Sequence, residues 1–79
     1  MKGFYNNPMP VTSTPQYQRF LKLLRSARIS SGKTQVQVAK ILKKPQSFVS
    51  KSESGERRVD VVDLQQFAKI YKRPFSYFE

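Results

Sequence analysis

Between residues 46 and 57 the chain sets out hydrogen-bonding and positively charged side chains at short intervals: Gln46, Ser47, Ser50, Lys51, Ser54 and Arg57. A glutamine amide offers a donor beside an acceptor and can pair bidentately with an adenine edge. Lysine can donate to the acceptors of guanine, and serine is permissive. Bond-breaking chemistry has much less to work with. Histidine and cysteine are both absent, which removes the commonest general base, any disulfide framework and any cysteine-bearing zinc site. The acidic residues, Glu53, Glu56, Asp60, Asp63 and Glu79, are scattered and resemble no metal loop. These residues suit binding rather than catalysis; no enzyme activity, cofactor or metal is expected.

The charge says what would be bound. Fifteen Lys and Arg against five acids give a formal charge of +10. Such an excess attracts polyanions, nucleic acid first and an anionic membrane surface second. No apolar run approaches the roughly 18–20 residues of a membrane-spanning helix. The start, Met1-Lys2-Gly3-Phe4, has a positive charge but no apolar segment after it, so no signal peptide is read and the cytoplasm is the expected compartment.

The elements that must position these residues are helical, and 79 residues is the length of one domain with a tail. Residues 1–13, with prolines at 8 and 10 and no helical period, read as an extended arm. Thr14-Pro15 suits a helix start, followed by Tyr17, Phe20, Leu21, Leu24 and Ala27 at helical spacing. Gly32 is placed to end that helix in a left-handed cap. Thr34 and Gln37 fit a capping box opening a second helix, with Val38, Ala39 and Leu42 inward. Pro45 enforces a break. A third, short helix runs from about Gln46 to Ser52 or Glu53, with Val49 on one side and Gln46, Ser47, Ser50 and Lys51 on the other. Asp60 caps a fourth, whose inner positions are Val61, Leu64, Phe67, Ala68 and Tyr71, and Phe75–Phe78 adds one more turn. The fold class is all-α: a compact domain of four to five helices over 14–79 with an extended N-terminal arm.

Two short helices with a three-residue break, buttressed by longer ones, is a helix-turn-helix layout. Residues 16–78 resemble the Cro/CI-type, lambda-repressor-like family, also called the XRE family. The resemblance is carried by Arg28 four residues before Gly32, Thr34-Gln35, Ala39, Leu42, Val49-Ser50-Lys51, Glu53 and Gly55. The stretch from Pro45-Gln46-Ser47 through Gly55-Glu56-Arg57-Arg58 is similar to one subgroup of it. Two departures stand out. Lys43 replaces the usual turn glycine, which predicts a locally different turn, and Ser52 replaces a large apolar residue, which predicts a thinner core.

The resemblance implies residue roles. Gln46, Ser47, Ser50 and Lys51 would face the major groove and read bases. Gln35 would hold a backbone phosphate at the start of the second helix, and Lys43, Lys44, Ser54 and Arg57 suit phosphate contacts beside the reading helix. Arg28 and Glu53 would form a structural ion pair. Phe48 has two readings, packing at the helix edge or contact with a thymine methyl. The implied function is a sequence-specific, double-stranded DNA-binding transcriptional regulator, a repressor or controller, acting as a homodimer (weak when free) on a pseudo-palindromic operator. Pairing through Tyr71, Phe75 and Phe78 stands against the plainer reading that these rings complete the core. An antitoxin-like module, with a protein partner held by the arm 1–13, is the alternative; a non-specific polyanion or membrane-surface binder is a third.

Overall fold

The computed structural model describes residues 13–79. The expected arm lies outside the described residues except for Ser13. Four α-helices follow in order, α1 (Pro15–Ser30), α2 (Gln35–Leu42), α3 (Gln46–Ser54) and α4 (Val61–Tyr71), closed by a 3-10 turn at Phe75–Phe78. Among the described residues there is no strand. No helix among them is long and apolar enough to cross a membrane.

The helix starts are set by side chains. Thr14 Oγ1 accepts from the Tyr17 N–H at 3.2 Å, with Pro15 opening α1. Both bonds of the Thr34–Gln37 capping box are made, at 3.1 and 2.9 Å. Asp60 and Asp63 form a second box at the start of α4, at 2.8 and 3.3 Å. Each such cap stabilises its helix by about 1 kcal/mol. Only α3 starts without a side-chain cap, on Pro45.

Gly32 takes the left-handed conformation expected of it, with φ at 74°. The turn after α2 is left-handed, the conformation that glycine adopts most readily. Lys43 itself adopts φ 59° and ψ 43°. The N–H groups of Lys43 and Lys44 then reach the carbonyls of Lys40 and Ala39 at 3.2 and 3.0 Å. Satisfying those otherwise orphaned carbonyls offsets a conformational strain of about 1 kcal/mol on the lysine.

Each α-helix sends a large, fully buried apolar side chain to the centre: Leu24, Val38, Val49 and Phe67. Burial of each is worth about 1.5–3 kcal/mol. Ala39, also buried, is the small residue that lets α2 lie close to α3. Ser52 sits in the core despite its small, polar side chain. It is fully buried, and its hydroxyl donates to the Phe48 carbonyl one turn back at 2.7 Å. Val61 overturns the inner-face expectation, being 61% exposed in the first turn of α4, beyond the reach of the core. Of the three rings considered for pairing, Tyr71 and Phe78 are buried in the monomer and only Phe75 is exposed. Phe78 packs against Phe20, and Tyr71 stacks on Phe67 at 5.9 Å.

Candidate nucleic-acid interface

The geometry of α3 follows from Val49. Because that side chain is fully buried, the opposite side of the helix is turned outward. Gln46, Ser47 and Lys51 are exposed there, and Ser50 is half-buried. The structure therefore brings these four onto one side of one short helix. Lys43 and Lys44 lie exposed in the turn that leads into it, and Ser54 is exposed at its end. The Ser54 hydroxyl donates to the Lys51 carbonyl and accepts from the Glu56 N–H, both at 3.3 Å.

Behind that side runs a hydrogen-bonded chain. Gln46 Nε2 donates to Gln35 Oε1 at 3.3 Å, and Gln35 Nε2 donates to Glu53 Oε1 at 3.0 Å. Arg28 closes the chain bidentately, with Nε to Glu53 Oε2 at 2.6 Å and Nη2 to Oε1 at 3.1 Å. Its third donor, Nη1, reaches the Lys33 carbonyl at 3.0 Å. The pair is shielded, with side-chain exposures of 12% for Arg28 and 5% for Glu53. The hydrogen bond to Glu53 raises the Arg28 pKa further above its ordinary value, against the opposing pull of burial.

Gln35 is thus tied into the fold rather than wholly free for a ligand: its amide oxygen is taken by Gln46 and one N–H by Glu53. One side-chain N–H remains, together with the first-turn backbone donors of α2 that the capping box does not use. Gln46 uses one N–H on Gln35 and keeps its carbonyl oxygen and a second N–H. Those two are the pair that a bidentate contact with adenine needs.

Tyr71 lies under the same network, buried. Among the described residues nothing hydrogen-bonds its hydroxyl. Burial pushes its pKa well above the ordinary tyrosine value, and the nearby Glu53 charge adds to the shift.

On the other side of α3 sits a second arrangement, which reading the sequence did not find. Phe48 is half-buried and stacks on Phe67 at 6.3 Å. The Arg57 guanidinium covers it at 4.1 Å, and Lys44 Nζ approaches to 5.3 Å. Phe48 therefore packs at the helix edge, as the first of its two readings has it. Arg57 Nη1 in turn donates to Asp63 Oδ2 at 2.8 Å. Burial works to raise the Asp63 carboxyl, but the hydrogen bonds from Arg57 and from the Asp60 backbone outweigh it and hold the pKa below the usual value. Arg57, expected only to flank the reading helix, is engaged in the fold. The available signal was an arginine six residues before an acid in a capping box, across a loop of unknown shape.

Arg25 lies outside the apolar positions of α1 and is exposed. It lines a cleft with Gln35, Ser50, Glu53 and Ser54. No cluster of acids, histidines or cysteines able to hold a metal occurs among the described residues.

A short helix seated on a second, with its outward side polar and basic and its inward side anchored in a small core, defines a helix-turn-helix domain of the DNA-binding class. A helix-turn-helix family model matches residues 24–78. The chain belongs to this family, the Cro/CI-like or XRE helix-turn-helix proteins, which are DNA-binding and regulatory rather than enzymatic. No curated protein matches the chain significantly.

Proposed function

We propose that the protein is a sequence-specific, double-stranded DNA-binding regulator of transcription, acting as a repressor or controller, in which α3 enters the major groove. The observation that supports it best is the state of Gln46. Its amide is steered from behind by Gln35, while its remaining donor and acceptor stay exposed beside Ser47, Ser50 and Lys51. A pre-set bidentate group on a short, anchored helix is what direct readout of a base pair requires. Lys43, Lys44, Gln35 and Ser54 then hold backbone phosphates on either side. Arg57 contributes to binding mainly through the position of Phe48.

In this reading the working unit is the helical domain 14–79, carrying the arm 1–13, and it binds as a homodimer on a pseudo-palindrome. One recognition helix reads too few base pairs to select a site against a genome of competitors. A two-fold pair doubles the readout, with half-site centres roughly 34–36 Å apart. Phe75 is the ring available for such pairing, since Tyr71 and Phe78 are buried.

Selection of bound duplexes from a random pool tests the reading. Gln46→Ala or Lys51→Ala should change the selected motif at one or two positions, at a cost of about 1–3 kcal/mol there. Lys44→Ala should weaken all sequences alike. A motif unchanged in both reader variants would remove α3 as the reading element.

A further inference from the structure

Three residues expected to contact DNA, Gln35, Ser50 and Ser54, line one cleft of about 210 Å³ at the junction of α1, α2 and α3. The cleft has two charged walls. Glu53 forms one, but both of its oxygens are occupied, by Arg28 and Gln35. Its charge is matched by that of Arg28. Arg25 forms the other, one helical turn before Arg28 on α1. Neither ion pair among the described residues uses it. The cleft thus carries one uncompensated positive charge, on an exposed arginine that shares its lining with Ser50 and Ser54.

We infer that this cleft seats a phosphodiester of the DNA backbone, with Arg25 as its clamp. This inference rests on the DNA-binding reading above. It extends the contact surface from the helix pair to α1, which the sequence pattern treated only as a buttress. The chemistry favours a phosphate over a base. A guanidinium presents a planar fork of donors that matches phosphate oxygens, and the second N–H of the Gln35 amide adds a neutral donor. The outward side of α3, where base edges would lie, is occupied by Gln46, Ser47 and Lys51, leaving the α1 edge to the flanking strand. The charge balance agrees. If Arg28 did not neutralise Glu53, the carboxylate would repel the phosphate; because it does, Arg25 acts unopposed.

The test uses the full chain and a duplex carrying the selected motif. Arg25→Gln should weaken binding about fivefold per protomer at 0.15 M salt and lower the slope of log K against log salt by about one per protomer. The selected motif and the melting temperature should be unchanged, because Arg25 is exposed and makes no ion pair among the described residues. Arg25→Lys should keep the slope and lose less affinity. Unchanged affinity and slope in Arg25→Gln, with wild-type selectivity intact, would overturn this inference alone. An altered motif would make Arg25 a base reader, and a lowered melting temperature would make it structural; either result overturns the phosphate seat. Slope lost as fully in Arg25→Lys would do the same, since charge would not be the cause. If the wild-type chain shows no salt-dependent binding to any duplex, the DNA reading itself falls and takes this one with it.

Discussion

On its α1 side α3 is tied by Glu53, which meets an arginine 25 residues away in sequence and is almost wholly shielded. On its α4 side it is tied through Phe48, capped by an arginine whose acid lies six residues away and whose side chain is 35% exposed. Both sides use an arginine and a carboxylate. They differ in depth and in the length of chain they close. The deep pair joins two helices that nothing local brings together, and each partner depends on the other to be tolerable away from water. The shallow pair braces a loop already held by the capping box of α4, and solvent screens it. The helix proposed to read DNA is therefore fixed firmly along one flank and lightly along the other.

The comparison breaks first at Glu53. Glu53→Ala strands Arg28 in a shielded site and removes the group that holds Gln35. Chemical denaturation should show a loss of about 3–5 kcal/mol. A loss below about 1 kcal/mol would put this pair in the same class as the exposed one, and the asymmetry would vanish.

Which parts of this were legible in the sequence follows from how local their causes are. The Thr34–Gln37 capping box and the Asp60 cap could be read because each is a matter of residue types at a helix start. Val49 against Gln46, Ser47, Ser50 and Lys51 could be read because helical period alone sorts them. The Arg28–Glu53 pair was legible only through the family resemblance, since no period relates residues so far apart. Arg57 over Phe48 depends on the path of the 55–60 loop, for which spacing gives no rule. Lys43 shows the opposite failure: local propensity argued against a left-handed lysine, and the packing of α2 on α3 with two carbonyl bonds overrode it. Val61 fits the apolar stripe of α4, but a stripe does not say where the core stops. Tyr71 and Phe75 part company at Pro74, where the helical period ends and with it any basis for sorting the rings.

Tyr71→Phe sharpens the deep side. The wild-type hydroxyl is buried beside Arg28 and Glu53 with no hydrogen-bond partner among the described residues. Removing it relieves an uncompensated desolvation, so stability at neutral pH should stay level or rise by up to about 1 kcal/mol. The alkaline limb gives a second reading. A tyrosine whose folded pKa is raised contributes stability that is complete below its ordinary value of about 10 and is lost as pH rises through the folded one. Wild type should therefore fall more steeply than Tyr71→Phe above roughly pH 10. A loss of more than about 1 kcal/mol in the variant at neutral pH would mean that the hydroxyl is anchoring the network.

The shallow side gives the smallest effect and the cleanest pH signature. Asp63→Asn preserves size and can still accept from the Asp60 N–H, but it removes the charge facing Arg57. With Arg57 partly in solvent, the cost at neutral pH should be about 0.5 kcal/mol. The folded pKa of Asp63 lies below its ordinary value. Its contribution is therefore present above the unfolded value of about 3.9 and lost as pH falls through the folded one. Asparagine does not titrate there, and the other carboxylates are common to both chains, so they cancel in the difference. Denaturation midpoints of the two proteins should differ slightly at pH 7 and converge near roughly pH 2. A difference of several kcal/mol at pH 7 would place the Arg57–Asp63 pair beside Arg28–Glu53 and make the two flanks of α3 equally firm. A difference that persists unchanged in acid would show that the carboxylate acts through shape rather than charge.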